Sequence, residues 1–255
     1  MHRDASRFRR RPLRCLIDAP GLCRVAAMVM AGALLSAAAP AATRSYIVTD
    51  FDSLRVDAPI DVAVATGRGI SAQGEGDRDL LDRIDLTVSA RVLTVRLKPS
   101  SYEGRRHATA GAARLNLTVP GLRRVQLTGA GSLQATGLNR SRAEIIAAGN
   151  GHLAVAGVDS DVLDVTQLGS GSVTLAGKAR SLTMRVSGAG ALDASALTVA
   201  DLDVRLDGSA SVAARADRAA HVVAIGPGGV TVTGKGACTV NHAGSGTVSC
   251  GGASY

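Results

Sequence analysis

A chain of 255 residues has room for one large all-β domain or two small ones. Its formal charge of +8 points toward polyanions, but residues 1–42 hold seven Arg and two Asp. The remainder is therefore close to +3, which argues against nucleic-acid binding by charge.

Residues 3–24 form a basic stretch carrying those arginines, and residues 25–39 are an apolar run of about fifteen. Small residues follow from Ala37 to Ala42. The pattern predicts a secretory signal peptide over 1–42, cleaved near Ala39–Ala42, and a single exported domain over 43–255. Such a leader implies export from the cytoplasm. No second long apolar run follows, so the mature chain is not expected to span a membrane. Cys15 and Cys23 leave with the leader. Cys238 and Cys250 stay, and their spacing suits either a disulfide or two small buried side chains.

Over 46–120 the apolar residues alternate: Leu54 and Val56; Ile60, Val62 and Val64; Ile84, Leu86 and Val88; Val92, Val95 and Leu97; Leu115, Leu117 and Val119. Period two predicts strands with one apolar face. Residues 76–82 suit one helical turn. The polar stretch 102–111, with Arg105, Arg106 and His107, reads as an exposed loop.

From Val125 the pattern changes to a long repeat. Gly-x-Gly recurs with first glycines at Gly129, Gly149, Gly169, Gly188, Gly208, Gly226 and Gly244, in steps of 20, 20, 19, 20, 18 and 18 residues. The second glycines are Gly131, Gly151, Gly171, Gly190, Gly228 and Gly246, with Ala210 in the fifth copy. Units begin at Val125, Ile145, Val165, Met184, Val204, Val222 and Val240, each apolar. Position nine is also always apolar, from Leu133 to Val248, and position eleven runs from Ala135 to Cys250. A unit of this length cannot bury its own apolar side, so equivalent positions must stack. The prediction is an all-β, right-handed parallel β-helix of about 18–20 residues per coil, with a glycine corner in each. A calcium-binding roll needs a nine-residue period, and a phosphate loop would open a helix; neither fits.

Other residues carry a resemblance. Phe51-x-x-Leu54-x-Val56, Asp57-Ala58-Pro59-Ile60-Asp61-Val62, Asp79-Leu80-Leu81-Asp82-Arg83-Ile84 and Leu93-Thr94-Val95 resemble the opening of the head GIN-domain family. So does Leu115-Asn116-Leu117-Thr118-Val119-Pro120-Gly121-Leu122, followed by Leu127-Thr128-Gly129-Ala130-Gly131-Ser132. The resemblance spans about 46–250 and implies a bacterial, exported, all-β protein of auto-transporter adhesin type, expected in the periplasm, at the cell surface or secreted from a Gram-negative bacterium. It supplies no catalytic residues, and an auto-transporter translocation barrel is not expected after Tyr255.

A β-helix face can host polysaccharide lyase or hydrolase chemistry. Stacking brings Glu144, Asp164, Asp203 and His221 into one outward column, with Arg185, Arg205 and Asp207 beside it. Asp203, Arg205, Arg185 and Asp207 are the catalytic candidates, as paired carboxylates with basic neighbours. The competing reading is exposed ion pairs between rungs, each worth about 0–1 kcal/mol. His107, His152, His221 and His242 show no zinc spacing, and no serine has a nucleophile-elbow context. Tyr46, Phe51, Tyr102 and Tyr255 are the only aromatics beyond the leader, too few for sugar stacking. The sequence thus favours a non-enzymatic binding or adhesion domain with an envelope, glycan or protein partner and no cofactor or metal. The alternatives are a polysaccharide-active enzyme and a structural role, with copies joined through coil ends, since an open coil end is a bare strand edge.

Overall fold

The computed structural model describes residues 42–99 and 113–255. The expected leader, apart from Ala42, and the loop at 102–111 lie outside the described residues. Their sequence-based readings, Cys15, Cys23, Arg105, Arg106 and His107 included, lie there too.

In the C-terminal part the repeat becomes a parallel β-solenoid; the whole has about six turns. Its strands are β8 (Arg124–Gly129), β9 (Ser132–Thr136), β10 (Arg142–Gly149), β11 (His152–Gly169), β12 (Ser172–Gly188), β13 (Ala191–Gly208), β14 (Ser211–Arg215), β15 (Ala219–Ile225), β16 (Gly229–Thr233), β17 (Ala237–Ala243) and β18 (Thr247–Cys250). The unit starts stack in register: Val125 faces Ile145, then Val165, Met184, Val204, Val222 and Val240. All but the last are fully buried. Position nine stacks likewise, from Leu133 through Leu153, Val173, Leu192, Val212 and Val230 to Val248. These ladders are the core, and equivalent apolar side chains from successive coils continue it without interruption.

The two glycines of each corner act for different reasons. The first has positive φ in every coil, +115° at Gly149 and +108° at Gly169. From Gly149 onward a β-carbon there would also meet the preceding corner, 2.6 Å from the Gly149 carbonyl oxygen in the case of Gly169, whereas at Gly129 it would meet nothing within 4 Å. The second has no positive φ; at Gly151 an added Cβ would lie 2.5 Å from the Gly131 carbonyl oxygen. Stacking distance, not dihedral angle, disfavours a side chain there, although the fifth coil accommodates the buried methyl of Ala210.

The N-terminal layer departs from a simple rise of coils. Its strands are β1 (Ala42–Ser45), β2 (Ser53–Val56), β3 (Asp61–Thr66), β4 (Ser71–Gly76), β5 (Ile84–Ser89), β6 (Val92–Leu97) and β7 (Ala113–Val119). Strand β2 lies between β6 and β8, so Leu54 faces both Leu93 and Val125. Strand β3 lies between β7 and β9, with Val62 facing Leu115 and Leu133. The chain thus lays down one rung, passes outside it, and crosses back to start the regular coils. Strands β5, β4 and β1 run antiparallel and close this end. Helix α1 (Arg78–Arg83) starts where the Asp77 carboxylate accepts from the Asp79 and Leu80 amides, and it buries Leu81. The Tyr46 hydroxyl donates to the Leu81 carbonyl at 2.7 Å, tying the segment before β2 to the helix.

At the opposite end Cys238 and Cys250 are bridged across the last coil, and β19 (Ala253–Ser254) turns back antiparallel on β18. Among the described residues no helix is long and apolar enough to cross a membrane.

Candidate functional site

The face carrying β8, β10, β15 and β17 points every second side chain outward, so residues a rung apart stand in columns. One column reads Arg124, Glu144, Asp164, Thr183, Asp203, His221, Thr239. The next reads Gln126, Ile146, Thr166, Arg185, Arg205, Val223, Asn241. Stacking thus brings Asp203 and His221 together, and Arg185 and Arg205.

The side chains make ordinary pairs there. Arg205 Nε lies 3.5 Å from Asp203 Oδ1 on the same strand, and His221 Nδ1 lies 3.6 Å from Asp203 Oδ2 on the next rung. Asp207 stands one column further over, facing Ser187 and Ile225. All four catalytic candidates therefore share one face, with Asp203 engaged by both its basic neighbours. Further round the coil the same device recurs: Lys178 pairs with Asp159 at 3.2 Å and Arg180 with Asp161 at 3.4 Å, each a contact between rungs. Half-exposed pairs of this kind contribute at most about 1 kcal/mol.

The more distinctive feature lies nearer the N-terminal end of this face. A depression of about 420 Å³ is lined by Arg123, Arg124, Arg142 and Arg185, with Glu144 and Asp164. Arg124 Nε donates to Glu144 at 2.7 Å. Arg123 Nε donates to Asp52 at 3.1 Å, and Arg91 holds the other oxygen of the same carboxylate at 3.1 Å. Partial burial pushes the Asp52 carboxyl up, but the Ser53 hydroxyl and the two guanidiniums together outweigh it and hold it below the usual carboxylate range. Arg142 and Arg185 form no ion pair among the described residues. Of these four guanidiniums, Arg123 and Arg124 are thus held by carboxylates, and Arg142 and Arg185 have no carboxylate partner among the described residues.

Sequence reasoning placed Arg185, Glu144 and Asp164 on this face and missed Arg123, Arg124 and Arg142. They sit just before the first residues of their units, Val125 and Ile145, outside the apolar columns that the repeat was read from. The adjacent pair Arg123-Arg124 was the available signal. It also missed Gln167, which stands fully buried in an inward column between Ala147 and Val186. Its Nε2 donates to the Gly171 carbonyl at 2.6 Å and to Ala191 at 3.3 Å, bracing the corner and the coil that follows.

Elsewhere, Asp193 accepts from the Ser195 hydroxyl and amide, which hold its carboxyl below the usual range. Asp201 is lowered by its hydrogen bond to Arg218. His152 Nδ1 pairs with the Ser172 hydroxyl at 2.6 Å on the outer surface. Among the described residues no group of three or more His, Cys, Asp or Glu is placed to hold a metal ion.

Several solved structures share this fold. A putative adhesin from Bacteroides fragilis superposes with a TM-score of 0.74 at 20% identity, over 82% of this chain and 96% of its own. A putative lipid binding protein from Parabacteroides distasonis gives 0.61 at 18% identity, over 83% and 96%. A putative adhesin from Parabacteroides merdae gives 0.60 at 20% identity, over 83% and 96%. No curated protein matches the chain in sequence. Residues 50–236 match the family described as putative auto-transporter adhesin, head GIN domain, and the chain belongs to that family.

Proposed function

We propose that the protein is an exported, non-enzymatic binding domain of adhesin type at the bacterial envelope, and that the arginine-lined depression holds anionic groups of a glycan. The observation that carries this reading is the pair Arg142 and Arg185, which line the depression and form no ion pair among the described residues. A guanidinium presents a planar fork that matches carboxylate, sulfate or phosphate oxygens. Family membership and the adhesin relatives support a binding role over a catalytic one. The relative described as lipid-binding makes phosphate headgroups the second source of the same chemistry.

The test immobilises acidic glycans, neutral glycans and, separately, vesicles containing anionic lipid. The protein is expected to be retained on acidic glycans, with retention falling as salt rises. Arg142→Ala with Arg185→Ala is expected to weaken it about tenfold or more. Equal retention on neutral glycans, or no change in the double variant, would overturn the assignment. Retention on the vesicles alone would move the anion to a lipid.

A further inference from the structure

The two ends of the solenoid are finished differently. At the N-terminal end, β5 lies along β6, and β4 along β7 with β1 beyond it. The outermost strands there carry charge, Asp85 in β5 and Arg44 in β1, a common device against edge-to-edge pairing. At the other end β19 covers β18, whereas β17 pairs with β15 and, among the described residues, with nothing on its outer side. Strand β17 reads Ala-Cys-Thr-Val-Asn-His-Ala, with no Asp, Glu, Lys, Arg or Pro to protect it.

The free backbone groups of β17 can be assigned. The Ala237 N–H donates to the Arg218 carbonyl, and the Ala243 carbonyl accepts from the Gly226 N–H, both in the preceding coil. Alternate residues of a strand direct N–H and C=O to opposite sides. Thr239 and Asn241, like Ala237 and Ala243, therefore direct their backbone groups toward β15, and Cys238, Val240 and His242 aim theirs outward. The same three residues point their side chains into the coil, where they are only half-buried. One rung back, Ala220, Val222 and Ala224 are buried. Both the hydrogen-bond ladder and the apolar core stop unfinished at β17.

We propose that this edge is a self-docking surface, on which two copies of the chain join tail to tail through antiparallel β17 strands. The strand is self-complementary about Val240. With a two-fold axis there, Val240 faces the partner's Val240, Cys238 the partner's His242, and Thr239 the partner's Asn241. Each residue with free backbone groups meets another such residue, and the facing pair exchanges both hydrogen bonds. Inward side chains meet inward ones and outward meet outward, so the two cores become one. No charge opposes a like charge across the axis, which suits a second copy of the same strand. The antiparallel strands at the far end leave no parallel rung for a head-to-tail join, so the assembly closes at two copies. A seven-residue strand is ~23 Å long and sheets lie ~10 Å apart, so the covered area is small and the dimer is weak and reversible. This goes beyond the anion-binding reading and stands without it, though two copies would offer two arginine sites to one polymeric ligand.

The test is sedimentation of the intact protein across a concentration series from micromolar to millimolar. The wild-type mass is expected to climb toward twice that of the monomer. Thr239 and Asn241 are exposed and outward, so Thr239→Lys with Asn241→Lys leaves the core untouched while setting Lys against Lys across the axis. This variant, and the matching Thr239→Glu with Asn241→Glu, should stay monomeric with wild-type melting temperatures. An equimolar mixture of the two should recover the dimer. A wild-type monomer at every concentration overturns the proposal. So do charge variants that dimerise as the wild type does, or a mixture that stays monomeric.

Discussion

At Gly169 two costs coincide: a positive φ of +108° and the Gly149 carbonyl oxygen 2.6 Å from where a Cβ would sit. Gly67 has a similar φ of +87° but nothing within 4 Å. Gly169→Ala is therefore expected to cost about 2–4 kcal/mol, and Gly67→Ala only about 1 kcal/mol. Urea unfolding of both variants checks this; equal penalties would mean that the corner is set by dihedral angle alone. The spacing of the glycines was enough to identify corners. The stacking contact of the second glycine in each pair was not legible, because it depends on the distance to a coil about 20 residues earlier. Gln167 escaped for a related reason: a lone amide in an apolar column reads as polar surface until its acceptors, the Gly171 and Ala191 carbonyls, are in place.

Elements of the regular coils follow directly from the repeat, since each strand's partner lies one period away. The bridge between Cys238 and Cys250 ties β17 to β18 across a separation of 12 residues. Replacing both cysteines with alanine is expected to cost about 2–3 kcal/mol. Because coils touch only their neighbours, the loss should stay local. Hydrogen exchange should speed up in β17 and β18 and leave β10 to β12 unchanged; faster exchange throughout would show that the solenoid melts as one unit. The N-terminal layer was much less legible. Strand β1 begins where the leader was expected to end. Nothing in the alternation of β4 or β5 says whether a neighbour runs parallel or antiparallel, since period two is the same for both.

The molecule as a whole is additive along its axis. Deleting residues 170–188 joins Gly169 to Ala189, so Gly190, Ala191 and Leu192 take the places of Gly171, Ser172 and Val173. The shortened protein is expected to fold with an unchanged far-ultraviolet spectrum and a slightly lower melting temperature. Deleting only 170–179 puts polar columns inside and should abolish folding, as circular dichroism would report. The proposed binding surface was legible only in part, because outward columns tolerate many residues and its arginines cluster through coil geometry. The crossed N-terminal layer has a kinetic consequence. Strands β2 and β3 are made early, yet their rung is complete only when β6 to β9 arrive, with Asp52 reaching Arg123 across 71 residues. Later coils close over a single period. Loop closure is slower where separation is greater, so when the whole chain refolds the N-terminal rung is expected to lock after the regular coils. The number of coils then sets how stable the protein is, and the N-terminal crossing sets how fast it forms.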